Sequence, residues 1–192
     1  MAVSLAKGTN ISLTKAAPGL ASVTVGLGWD ARTTEGQKFD LDASAIVCDA
    51  DGKVLSDKHF VFYGNKTSPD GNVSHGGDNT TGDGDGDDET IRINLAGLPA
   101  EAAKVVIAVS IYEADKNGQT FGQVRKAFAR VLDDSTGAEL TRYDLGEDYS
   151  TETALLFAEI YRNGDEWKYR AVGAGYANGL SGIAADFGLQ TL

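Results

Sequence analysis

A chain of 192 residues with 42% hydrophobic and 23% charged residues is sized and composed for one globular domain with its own core, and this composition excludes intrinsic disorder. Asp and Glu number 28 against 17 Lys and Arg, a net charge of −11. With no basic run, that balance argues against nucleic acid as a partner and points to cations.

Along the chain the dominant hydrophobic period is two. ISLT (11–14) and SVTVGLG (22–28) alternate as half-buried strands do. ASAIVCDADGKVL (43–55) reads as strand, turn at Gly52, strand. Its Cys48 is the only cysteine, and apolar neighbours predict a buried, inert thiol. HFVFYG (59–64) and TIRINL (90–95) are strands flanking a Gly- and Asp-rich loop. KVVIAVSIY (104–112), apolar nearly throughout, is expected as a central strand. AFARVLDDSTGAELTRYDL (127–145) gives two strands around a turn ending at Gly137. TALLFAEIYRNGDEWKYRAVG (153–173) is a hairpin, its Asn163-Gly164 pair suited to a type I′ turn. Helical signal is thin: one turn over 100–103, a short helix over 121–125 capped by Thr120, and another over 180–187 closed by Gly188. Many strands and short turns predict an all-β fold, a β-sandwich of two mainly antiparallel sheets with a few short helices, forming a single domain over 1–192. MAVSLAKGTN, the first ten residues, lacks the pattern of a secretory signal, and no stretch approaches a membrane span, so a cytoplasmic protein is expected.

The loop GGDNTTGDGDGDDET (76–90) places Asp78, Asp83, Asp85, Asp87, Asp88 and Glu89 among glycines. Like charges so close repel unless a cation sits among them. Calcium takes six to eight oxygen ligands at about 2.3–2.6 Å, and alternating Asp and Gly supplies carboxylates on a backbone able to turn sharply. The spacing is not that of an EF-hand: counted from Asp83, the template needs Gly where Asp88 stands and Glu where Asn94 stands. A second acidic group, Asp30, Asp40 and Asp42, lies in a loop that a sandwich can bring to the same end. Two calcium ions shared between these loops are expected, in preference to magnesium, which keeps its waters. Two dications would bring the net charge from −11 to about −7.

Simpler roles compete for several of these residues. An Asp/Gly run can be a solvated loop. Asp49, Asp51, Asp133 and Asp134 are expected as turn residues, Glu113 and Asp115 as solvated side chains, and Trp29 as rim packing. His59 and His75 form no zinc pattern and are expected to be peripheral and solvated. One Cys and two His motivate no nucleophile–base–orienter triad.

Taken together, GWD (28–30), FDLDASA (39–45), GDNTTGDGDGDDE (77–89), IYEA (111–114), QTFGQVRKAFARV (119–131), ELTRYDL (139–145), ETALLFAEIYR (152–162) and EWKYRAVGAGYANGL (166–180) resemble the signature blocks of TerD-type tellurium-resistance proteins. The resemblance runs in order through essentially the whole chain, with Lys126 where relatives usually carry Asn. It implies a calcium-binding β-sandwich of bacterial tellurite resistance and stress response, with metal ligands drawn from Asp30, Asp40, Asp42, Asp78, Asn79, Asp85, Asp87, Asp88 and Glu89. The expected role is a calcium-dependent binding or scaffold module with no catalytic residues. Its expected partners are other proteins of the tellurium-resistance system, with peripheral association at the inner membrane face. The alternative is a metal-dependent hydrolase using the same acidic site.

Overall fold

The structure is a computed structural model that describes residues 2–30, 38–77, 86–146 and 149–190. Its strands are β1 (Val3–Ser4), β2 (Asn10–Ser12), β3 (Val23–Asp30), β4 (Leu41–Cys48), β5 (Phe60–Val61), β6 (Val73–His75), β7 (Glu89–Ile93), β8 (Lys104–Ile111), β9 (Arg125–Asp133), β10 (Glu139–Asp144), β11 (Ala154–Asn163) and β12 (Glu166–Tyr176). They form two six-stranded sheets, ordered β1-β10-β9-β3-β7-β6 and β2-β12-β11-β8-β4-β5. Every pairing is antiparallel except β1 with β10. The helices α1 (Leu13–Ala16), α2 (Ala114–Asn117) and α3 (Gly179–Phe187) are short, so the expected two-sheet, mainly antiparallel architecture is what the chain adopts.

Period-two patterning accounts for the first sheet. In β9 the residues Ala127, Ala129, Val131 and Asp133 are buried and their neighbours are not, as in a sheet with one face on the core. The second sheet is covered on both faces. Leu41, Ala43, Ala45 and Val47 of β4 enter the core between the sheets. Ile46 and Cys48 of the same strand face outward into a second cluster with Val106, Ala108 and Leu156, closed by Ile183 and Phe187 of α3. Two buried faces require an apolar run without alternation, and KVVIAVSI in β8, between β11 and β4, is that run.

Several local expectations shift. Leu13 and Thr14 do not continue β2; they open α1, whose Lys15 N–H donates to Ser12 Oγ (3.2 Å). The helix expected over 121–125 is a 3₁₀ turn, Phe121–Gln123, closed by the expected Thr120 cap. Residues 100–101 form only a turn. In the β11–β12 hairpin Asn163 pairs with Glu166, so the turn is Gly164-Asp165, one residue later than expected. Gly164 has φ +60° and Asp165 is not among the positive-φ residues, the signature of a type II′ turn, which needs glycine at its first central position.

Candidate metal centre

One end of the sandwich collects the acidic segments. β3 terminates there at Asp30, β4 begins at Leu41, and β7 begins at Glu89, which pairs with Leu27. Leu41 in turn pairs with Ile111 at the end of β8. Asp78, Asn79 and Asp85 lie outside the described residues; the other predicted ligands can be placed.

Glu89 is buried, 2% exposed, and crosses between the sheets. The backbone N–H of Ala43 donates to its Oε2 at 2.6 Å. His75 Nε2 lies 3.3 Å from the same oxygen, its side chain fully enclosed. Gly77 N–H donates to His75 Nδ1 (3.3 Å), which leaves the Nε2 of a neutral ring as the protonated nitrogen facing the carboxylate. His75 is therefore no peripheral, solvated residue: β6 repeats the inward-outward alternation, and His75 shares the inward face with Val73. His59 is also only partly exposed, its Nδ1 2.8 Å from Ser56 Oγ and its Nε2 3.8 Å from Asp70.

The start of β7 is braced from two sides. Asp88 N–H donates to Leu27 carbonyl (2.7 Å) and Trp29 N–H donates to Asp88 Oδ2 (2.9 Å). Asp87 takes both prongs of Arg130, Nε at 2.8 Å on Oδ1 and Nη2 at 3.2 Å on Oδ2. Hydrogen bonding to Asp87 outweighs partial burial and raises the Arg130 pKa above its ordinary value. A Cβ on Gly26 would overlap the Asp87 carboxylate, so only glycine at that position lets the pair lie flat across β3. Arg130 was invisible as a site residue, since nothing in the sequence links positions 43 residues apart.

Asp30 is half-exposed and pairs with Lys126 Nζ at 2.9 Å. Lys126 has φ +51°. Opposite it, β3 advances two residues, Gly28 to Asp30, while β9 advances three, Phe128 to Arg125, so Lys126 sits in a β-bulge with one extra residue. Asp40 is half-buried, and its carbonyl accepts from Tyr112 N–H (2.8 Å). Asp42 shares the outer face of β4 with Ser44 and lines a surface cavity with Glu113 and Asp115. Glu113 pairs with Lys116 (2.8 Å). Asp49 and Asp133 are turn residues as expected, Asp49 accepting from the N–H groups of Asp51 and Lys53 and Asp133 from Ser135 and Thr136. Asp134 also stands in that turn as expected, and its side chain accepts from Thr24 and Arg92 across the sheet.

Hard oxygen donors dominate this end, and they fit a hard divalent cation. Among the described residues, no three His, Cys, Asp or Glu side chains come together in a geometry that would hold one. A complete shell from this end would therefore draw on residues 78–85 as well.

Comparison with known proteins fits this architecture. The chain matches the TerD domain over residues 1–187. It is 56% identical over 190 residues to the tellurium resistance protein TerD of Serratia marcescens, covering 99% of each chain. It is 48% identical over 191 residues to general stress protein 16U of Bacillus subtilis (strain 168), again covering 99% of each. A crystal structure of a homologue of telluride resistance protein (TerD) from Streptomyces coelicolor A3(2) superposes with a TM-score of 0.68 at 27% identity, covering 86% of this chain and 96% of that one.

Proposed function

Because the chain belongs to the TerD domain family, we propose that it serves in tellurium resistance and stress response as a calcium-dependent binding module, not as an enzyme. The observation that carries this reading is the meeting of Asp30, Asp40 and Asp87–Glu89 at one end of the sandwich. In this reading Asp30, Asp40 and Asp88, with Asp78, Asn79 and Asp85, hold calcium; Asp42, also expected as a ligand, lines the cavity on the outer face of β4 and is left out of this set. Asp87 and Glu89 act as struts: both Asp87 oxygens are taken by Arg130, and Glu89 is buried with its Oε2 held by Ala43 N–H beside His75, so that each fixes the start of β7.

Calcium supplies the charge that a run of carboxylates needs before it can order. Binding at a hundredfold excess over Kd stabilises the folded state by about 2.7 kcal/mol. The loaded acidic end then presents a surface to other proteins of the resistance system. No helix among the described residues is long and apolar enough to cross a membrane; in the proposed reading the protein is cytoplasmic and reaches the inner membrane face only peripherally.

Calorimetric titration of chelator-stripped protein tests the reading. About two calcium ions per chain, with Kd on the order of 10⁻⁷ to 10⁻⁵ M, should bind in the presence of excess Mg²⁺. Binding should be lost in Asp78→Asn/Asp85→Asn. Absence of heat together with an unmoved melting temperature would remove calcium from the account.

A further inference from the structure

Beside the acidic end, on the outer face of the second sheet, lies an open cavity of about 430 Å³ that the calcium reading does not use. Its floor is the outward side of β4 and β8, and its rim carries Tyr63, Tyr112, Asp42, Glu113 and Asp115. Val3, Tyr63 and Tyr112 are the large hydrophobic side chains exposed on the described surface, at 43%, 45% and 46%. Two of the three thus stand on one cavity. Among the described residues the one basic side chain on its wall, Lys116, is held by Glu113 at 2.8 Å. Glu113 itself sits at φ +48°, a left-handed conformation that costs a non-glycine residue about 1–2 kcal/mol. Strain of that size at a cavity rim is a mark of functional placement.

We propose that this cavity docks an arginine or lysine side chain from a flexible segment of a partner protein. Tyrosine faces attract organic cations, and guanidinium groups stack on them. The carboxylates supply the opposite charge, and the apolar part of the lining suits the methylene stem. Strongly hydrated metal ions gain little from tyrosine faces or an apolar wall, so the lining favours an organic cation. A peptide segment is favoured over a free amine because Asn178, Gly179 and Leu180 at the start of α3 also line the wall. No side chain caps that helix start, so its N–H groups are donors for a partner's backbone carbonyls. The net charge of −11 steers a basic segment toward the molecule. The proposal does not depend on calcium at the neighbouring loop.

The test is an NMR titration of the full chain in EGTA with the peptide Gly-Gly-Arg-Gly-Gly, against the same peptide carrying citrulline. Saturable shifts of the Tyr63, Tyr112 and Glu113 resonances are expected with arginine. Citrulline, Tyr112→Leu and Glu113→Gln should each weaken binding about tenfold or more, with both variants melting normally. Equal binding of the citrulline peptide would overturn charge recognition. Putrescine binding as tightly as the peptide would overturn the partner segment in favour of a small amine. CaCl₂ alone moving the same resonances in protein freed of EGTA would make the cavity a metal site and end the proposal.

Discussion

At the scale of single residues, Lys126 is the clearest conflict between side chain and backbone. Its φ of +51° falls where glycine is at ease and an L-residue is strained. Its ion pair with Asp30 is exposed on both sides, 79% and 47%, and such pairs are worth about 0–1 kcal/mol. The strain exceeds the pair, so Lys126→Gly should stabilise the fold by about 0.5–1 kcal/mol, read as a raised melting temperature. Asn, which tolerates this conformation better than most residues, should raise it less. Cys48 gives a pH prediction. Burial pushes its thiol from 9.0 up to about 12. Burial and then the hydrogen bond to Asp186 push Tyr176 from 10.0 to about 12, and burial raises Tyr169 as well. In each case the folded state holds its proton more tightly than the unfolded state. Their contribution is fully present below pH 9 and is lost as pH climbs toward 12. The melting temperature should fall across that window, and a thiol reagent at pH 8 should modify Cys48 only after denaturation.

Among the elements, α3 matters most for its size. Without it, Ile46, Val106, Ala108 and Leu156 would meet water on the outer face of the second sheet. Ile183 is fully buried in that cover, so Ile183→Ala should cost about 2–4 kcal/mol, measured by denaturant unfolding. A loss below about 1 kcal/mol would mean the helix is not a fixed part of the sandwich. The longer elements were legible in the sequence because their length lets periodicity speak: β8 as a doubly buried run, β9 and β10 as an alternating pair, α3 with its closing Gly188. Short ones were not. Val73–His75 lies between glycines and spans too few residues for a period, so the strand was lost and the burial of His75 with it. Ile11 to Thr14 alternates like a strand, yet Ser12 caps α1 and turns the chain after three residues. Asn163-Gly164 was a correct turn signal read one residue early, since cross-strand register, not the dipeptide alone, decides which two residues are central. Site chemistry divides the same way. Acidic loops could be read as groups, but the Asp87–Arg130 and Glu89–Ala43 contacts arise from strand order in space, which no local pattern encodes.

For the whole molecule the governing quantity is its charge. Each sheet ends in strands of two or three residues, β1 and β6 in one and β2 and β5 in the other, so little open edge is offered for strand addition and assembly through the sheets is disfavoured. What remains for recognition is the acidic end and the cavity beside it. In chelated protein the carboxylates of that end repel one another; among the described residues Arg130 pairs with Asp87 and Lys126 with Asp30. Salt shortens the range of that repulsion from about 30 Å at 0.01 M to about 3 Å at 1 M. Raising NaCl should therefore raise the melting temperature of the chelated protein. On the proposed reading calcium would remove the same repulsion at its source, so protein in calcium should be both more stable and much less sensitive to salt. The two melting curves should converge as NaCl increases. Parallel curves, with equal salt dependence in EGTA and in calcium, would show that the repulsion is spread over the surface and that the acidic end holds no special share of it.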